Sequence, residues 1–351
     1  LANTATDKKT AIVSGSEIVF KFSNYNLVNI AKLLWNYGLS PLKVKMICDH
    51  YLKKFQRIYE LLDNKHIFTN LEEFLTALEL DGLVGKTIKT FLIENGVSEH
   101  YVNDIIDAFM AGIYNQHSEI NAFAGFITLA GVSYETYEIV GGNNQVIIKL
   151  VEKLREYKNF NLYLNKSVTS ISKVNDTYLI NGKQYDYVII SCPIDKTGIK
   201  FENITLQNPG PHDFQTTYMT VIKGSLNNKY FNLPDGTINT IISNKKNSTD
   251  HISDVIFVED GLIKVQSDHP LLHTNIVKND TVLKRHVWDF AYPRLRPIER
   301  KELPSFILDK GLYYINTIES AGSCMELSMI SARNIINIIE NKNLKESKKT
   351  E

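Results

Sequence analysis

Tyr185-Asp186-Tyr187-Val188-Ile189-Ile190-Ser191 is the stretch on which the fold reading turns. A continuous apolar run of this kind suits a strand buried on both faces of a parallel sheet, where no side faces water. Just upstream, Asn181-Gly182 is a hairpin signal, preceded by two alternating runs, Ser167 to Lys173 and Asp176 to Ile180. Further upstream, Gly141-Gly142-Asn143-Asn144 opens an amphipathic helix over Val146 to Leu154, and Asn161 to Asn165 reads as a short strand. Helix, strand, meander and buried strand together make an α/β unit, not a sandwich.

Downstream the pattern changes. Thr216 to Lys223, Thr237 to Ser243, His251 to Val258 and Leu262 to Gln266 alternate with period two between turn residues, which predicts an antiparallel sheet. Gly311 to Asn316 then reads as a strand and about 323–341 as a long helix, with a Lys/Glu-rich end expected to be disordered. The first third is mainly helical after a strand at Glu17 to Phe22. Its stripes are Ile30/Leu33/Leu34/Tyr37 and Ile47/Tyr51/Phe55/Ile58/Leu62, followed by helical patterns over about 84–95 and 98–113. Thr69-Asn70-Leu71-Glu72 reads as a capping box with Glu72 reaching back. The expected organisation is therefore 1–140 mainly helical, 141–197 α/β, 198–300 antiparallel sheet, 301–341 strand and helix, and 342–351 tail.

Composition removes several classes of function. Lys+Arg 39 against Asp+Glu 39 leaves no basic field for nucleic acid. Cys48, Cys192 and Cys324 are too scattered for a disulfide scaffold or zinc module. The longest charge-free apolar stretch, Ile120 to Val132, is 13 residues, short of the roughly 20 that span a bilayer. Gly82-Leu-Val-Gly85-Lys86-Thr87 imitates a phosphate loop but follows a helical pattern instead of a strand. His269 and His273 have helical spacing, but Pro270 intervenes, so no metal site is expected. Ser323-Cys324 opens a helix, where a thiol can be acidified, but no base accompanies it, and packing is the better reading. Five Asn-x-Ser/Thr sequons, at Asn165, Asn175, Asn203, Asn247 and Asn279, raise a secretory-pathway expectation. No two of the 18 glycines stand two residues apart, so this sequence contains no G-x-G-x-x-G.

Four stretches in order carry a family resemblance: Ser16 to Met46, Tyr114 to Gly131 with Gly141-Gly142-Asn143, Ala291 to Leu308, and Leu312 to Asn334. With them the chain resembles the prenylcysteine oxidase (prenylcysteine lyase) family of the FAD-dependent amine-oxidase-like group. The residues Ala111-Gly112-Ile113 and Tyr137-Glu138-Ile139-Val140 depart from that family's pattern. The resemblance implies an incomplete FAD-binding amine-oxidase-like fold, α/β with an α+β substrate domain, lacking the family's N-terminal dinucleotide-binding portion; on that ground the chain alone is expected to be inactive.

The implied activity is oxidation of the thioether of farnesyl- or geranylgeranyl-cysteine, with molecular oxygen as acceptor, giving a prenyl aldehyde, cysteine and hydrogen peroxide. Such chemistry needs orientation and an apolar wall more than an acid–base pair, so no catalytic side chain is assigned. FAD contacts are implied for Glu319, Met325, Glu326, Tyr292, Gly141, Gly142 and Asn143, and substrate contacts for Tyr114, Gln116, Phe123 and Phe126. A lysosomal or secretory location and peripheral membrane contact belong to the same expectation. A non-catalytic prenyl-lipid-binding module, or another flavin oxidase or desaturase of the group, is the alternative.

Overall fold

The computed structural model describes residues 2–3, 10–133, 137–210, 213–233, 238–244, 251–258, 261–271 and 275–350. Its largest element is a seven-stranded sheet in the order Val277–Pro293, Phe214–Leu226, Leu262–Ser267, Ile252–Phe257, Thr240–Ser243, Thr10–Ser14 and Glu17–Lys21. Every neighbouring pair is antiparallel except Thr240–Ser243 beside Thr10–Ser14, which is parallel. The N-terminal hairpin thus joins a sheet whose other strands lie some two hundred residues later. One face buries Ala11, Val13, Ile222, Ile241, Val255, Ile263 and Val265. Alternation along the strands produced that face, as the period-two pattern requires.

Val188–Ile190 lies parallel to Leu312–Tyr314, with Ile307–Asp309 antiparallel on the far side. The expectation of a strand buried on both faces is corrected: Val188 and Ile190 bury one face, while Ile189 on the other is 39% exposed, because the strand lies at the sheet edge with one neighbour. A four-stranded sheet, Lys183–Tyr185, Thr177–Ile180, Ser170–Val174 and Lys200–Glu202, stands beside it.

The helices Asn26–Tyr37, Ser40–Asp63, Leu71–Ala77, Ile88–Glu94, Asp107–Tyr114 and Ala122–Ser133 supply most of one large core. The C-terminal helix Met325–Thr350 joins that core through Leu327, Ile330, Ile335 and Ile338. Ala122–Ser133 is apolar all round, which fits a helix enclosed by others. A Cβ on Gly125 would fall 2.5 Å from Ile88, so the glycine is what lets this helix approach the start of Ile88–Glu94.

Three local expectations are corrected. The cap of Leu71–Ala77 is shifted by one residue: Asn70 Oδ1 accepts from the Glu73 amide (2.9 Å), and the Glu73 carboxylate, not Glu72, reaches back to Thr69. Glu72 instead pairs with Arg300. Asn161 to Asn165 forms no strand, because Leu162, Tyr163 and Leu164 are exposed and pair with no neighbouring strand. The C-terminal helix runs on to Thr350 in place of a disordered tail after Asn341. Lys and Glu are good helix formers, and no Gly or Pro stops the run.

Candidate functional site

A cavity of about 490 Å³ opens inside the helical region. Cys48, Tyr51, Leu52 and Phe55 line it from helix Ser40–Asp63, and Phe123, Phe126, Ile127, Thr128, Ala130 and Gly131 from helix Ala122–Ser133. Leu80, Leu83, Ile113 and Tyr114 extend the wall, and Ser323, Cys324, Glu326 and Leu327 close one end. The volume falls in the ordinary range for ligand sites. Its aromatic wall is ordered: Tyr51 and Phe126 stack with centroids 5.1 Å apart, and Phe91, which packs against the core outside the lining, meets Phe126 edge-on at 5.5 Å. The stripe Ile47/Tyr51/Phe55/Ile58/Leu62 serves both core and cavity, since Ile58 and Leu62 are buried while Tyr51 and Phe55 line the cavity; Phe126 likewise is buried yet faces it.

At the closed end, Tyr114 ties two parts of the chain together. Its hydroxyl donates to the Ser323 carbonyl (3.0 Å) and accepts from the Ser323 amide (3.3 Å). Its ring meets Tyr292 edge-on at 5.2 Å. Burial pushes the Tyr114 phenol well above its ordinary range, so it stays protonated and able to donate. A Cβ on Gly322 would lie 2.5 Å from Ile127 and 3.3 Å from Phe123, so this glycine lets the loop lie directly on the cavity wall. Past that loop the backbone turns into helix Met325–Thr350, whose N-terminus carries partial positive charge.

Glu319 is half-buried behind the loop. Asn316 Nδ2 donates to it (2.7 Å), and Ser323 Oγ donates at 3.3 Å. Burial raises its carboxyl above the usual range, with those two hydrogen bonds opposing. Desolvation likewise raises the Cys324 thiol, although the Leu327 and Glu326 amides bond to it; the packing reading of this cysteine stands. Burial pushes Cys48, on the cavity wall, up to about 12.

The structure brings Tyr114, Phe123, Phe126, Glu326 and the Glu319–Met325 segment to one place, with Tyr292 beside Tyr114. Met325 is exposed, and Glu326 accepts a hydrogen bond from Tyr59. Gln116 is engaged elsewhere: its amide donates to the Pro293 carbonyl (2.9 Å) and accepts from the Leu295 amide (3.0 Å), clamping the segment that carries Tyr292. Gly141, Gly142 and Asn143 are exposed ahead of helix Asn144–Leu154 and line none of these walls, both glycines having positive φ. Asn165, Asn175 and Asn203 are exposed turn residues with positive φ. Asn247 lies outside the described residues, as does the side chain of Asn279. Gly82–Thr87 is helix-capping sequence, Thr87 Oγ1 accepting from the Thr90 amide (3.0 Å).

Sequence reasoning missed Gly322 and Thr128. The Thr128 hydroxyl is buried on the cavity wall without a hydrogen-bond partner. Neither carries a sequence signal, because each matters only through what the fold sets against it.

The prenylcysteine lyase family profile matches residues 20–351. The chain is 30% identical over 364 residues to prenylcysteine oxidase 1 of Homo sapiens, covering 92% of this chain and 71% of that protein. To prenylcysteine oxidase 1-like of Mus musculus it is 26% identical, covering 93% and 72%. Among solved structures, putrescine oxidase bound to putrescine matches with a TM-score of 0.52 at 11% identity, covering 95% of this chain and 81% of that one. Cyclohexylamine oxidase from Brevibacterium oxydans IH-35A matches with a TM-score of 0.52 at 11% identity, covering 97% and 82%. The profile covers nearly the whole chain in sequence order, and the chain therefore belongs to the prenylcysteine lyase family.

Proposed function

We propose that this protein is an FAD-dependent thioether oxidase that cleaves farnesyl- or geranylgeranyl-cysteine to a prenyl aldehyde, cysteine and hydrogen peroxide. The observation that carries this reading is the apolar cavity ending on Tyr114 and the Gly322–Cys324 loop, at the N-terminus of the C-terminal helix. Bound FAD would supply the two-electron oxidation at the carbon beside sulfur, with oxygen as the final acceptor and water as the source of the aldehyde oxygen when the C–S bond breaks.

The residues present fit the flavin end of that cofactor. Gly322 lets the loop pack against Ile127 and Phe123 with no side chain between them, and the Glu319 carboxyl, which accepts from Asn316 and Ser323, would accept from a ribityl hydroxyl. The helix N-terminus at Met325 would favour negative charge on the flavin ring. The chain's own contribution is then positioning. Tyr51, Phe55 and Phe126 hold the isoprenoid, Tyr114 fixes the loop against the wall, and the apolar lining excludes water from most of the prenyl chain. A farnesyl chain has 15 carbons, and at roughly 0.8 kcal/mol per buried CH₂ the cavity supplies several kcal/mol after ordering costs.

The substrate's prenyl tail favours a lipid surface, and the outer helices suit one. Leu27 (82% exposed), Trp35 (87%), Leu39 (66%) and Met46 (71%) project from helices Asn26–Tyr37 and Ser40–Asp63 and the turn between them, among Lys32, Lys43, Lys45 and Lys53. Helix Ser40–Asp63 continues from that surface into the cavity wall at Tyr51 and Phe55. This reading includes peripheral contact with an anionic membrane, and a lysosomal or secretory location with glycans at exposed Asn165, Asn175 and Asn203. Incubating the flavin-loaded protein with farnesylcysteine tests the activity. Farnesal by mass spectrometry with stoichiometric peroxide is expected; tight binding without either product would leave a lipid-binding module. Co-sedimentation with phosphatidylserine vesicles, weakened by Trp35→Ser with Leu27→Ser, tests the membrane surface, and a mass shift on deglycosylation tests the location.

A further inference from the structure

At the far end of the seven-stranded sheet, the fold assembles three ligand-type side chains that the sequence separates. His269 stands next to Asp268, and His251 lies eighteen residues earlier. Strands Ile252–Phe257 and Leu262–Ser267 pair antiparallel with Ile252 opposite Ser267, so His251 and Asp268 are the first residues past the paired ends. The Asp268 amide donates to the His251 carbonyl (3.1 Å), closing the pair. His251 has φ +57, a left-handed conformation, and its ring packs against that of His269. Ser267 Oγ donates to the His269 carbonyl (2.7 Å), and Asn115 Nδ2 donates to the Ser267 carbonyl (3.1 Å), so the third residue is also held by its backbone.

Both imidazoles converge on one carboxylate oxygen. Asp268 Oδ1 lies 2.8 Å from His269 Nδ1 and 3.2 Å from His251 Nδ1, and the rings lie 4.0 Å apart centre to centre. The three ligand atoms all fall within 4.8 Å of one another. Metal–ligand bonds of about 2.0–2.1 Å at a tetrahedral centre set ligand atoms roughly 3.3 Å apart, so the cluster needs only small side-chain rotations to surround a cation. In the Nε2–H tautomer each Nδ1 carries the lone pair that coordination requires. The two histidine side chains are 47% and 62% exposed, which leaves a path for the ion and room for water on its remaining position.

We propose that His251, Asp268 and His269 form a site for a borderline divalent cation of the zinc class, with solvent completing the coordination. Two imidazoles and one carboxylate are the donor set that such an ion selects over magnesium or calcium, which prefer oxygen ligands. The bound ion fastens the ends of the two strands. The site does not depend on the proposed oxidase activity.

Calorimetric titration of the chelator-treated full chain with zinc chloride tests this. One saturable equivalent is expected, and His251→Ala and His269→Ala should each lower the affinity at least tenfold while leaving the metal-free melting temperature unchanged. Absence of saturable binding, or binding that a combined His251→Ala/His269→Ala variant retains, overturns the proposal. Cobalt(II) as a second probe separates the remaining source of binding. A nitrogen–oxygen visible spectrum supports the site, whereas a thiolate charge-transfer band would assign the ion to a cysteine and overturn it.

Discussion

Helices Ser40–Asp63 and Asn144–Leu154 carry the same kind of amphipathic pattern but end in opposite surroundings. The first buries Val44, Cys48, Ile58 and Leu62 and gives Tyr51 and Phe55 to the cavity. The second buries no residue at all, and Ile147 is 63% exposed, Leu150 52% and Leu154 42%. Hydrophobic periodicity therefore announces a face that seeks cover, without saying what covers it. In the first case neighbours within the described residues do so; in the second the apolar face stays open.

The contrast can be broken at its strong end by Phe126→Ala. This substitution removes the stack on Tyr51 and the edge contact with Phe91. We expect a loss of about 3–5 kcal/mol in urea unfolding, with KM for farnesylcysteine raised more than kcat is lowered. A loss below about 1 kcal/mol would mean that Phe126 lines the cavity without supporting the core. Tyr114→Phe should cost about 1–2 kcal/mol, since it strips the Ser323 carbonyl and amide of their partner. The expected signature is weaker flavin retention on gel filtration with the far-ultraviolet circular dichroism unchanged.

Glu319→Gln sharpens the comparison through pH. Burial holds the Glu319 carboxyl above its ordinary range, so its contribution to stability is complete below the unfolded carboxylate range and is lost as pH rises through the folded value. The amide cannot ionise. The cofactor-free variant should melt higher than the parent at neutral pH, by about 2 °C, with the gap closing toward pH 4. An equal gap at both pH values would show that ionisation of Glu319 is not the cause. The smallest effect belongs to the open helix: Leu150→Ser should shift unfolding by less than about 0.5 kcal/mol. A larger loss would reveal that this face is covered in solution.

Much of the architecture was legible because it rests on local periodicity. The alternating runs from Thr216 to Gln266 emerged as strands Phe214–Leu226, Thr240–Ser243, Ile252–Phe257 and Leu262–Ser267, and the tail as a strand and long helix. Capping was legible in kind but not in frame, since Asn70 and Thr69 are both good N-caps and only packing chose Asn70. Of the anticipated site residues, Tyr114, Phe123, Phe126, Glu319 and Glu326 gather around the cavity and its closing loop. Gln116 turned out to be spent on the Pro293–Leu295 backbone. A carboxamide that clamps backbone and one that meets a ligand look alike in sequence.

What the sequence determined by itself is the kind of most elements, the sheet face that must be buried, the apolar character of Ala122–Ser133 and the family to which the four ordered stretches point. These are properties of near neighbours along the chain, and near-neighbour periodicity survives without knowledge of the fold. Only the tertiary structure decided that Thr10–Lys21 would close a sheet with strands two hundred residues away. It also set Gly322 against Ile127, Tyr114 against Ser323, and His251 beside Asp268 and His269. Each of these pairings joins residues with no periodic relation to one another. Their meeting depends on burial and strand register summed over the whole chain, which no local window contains.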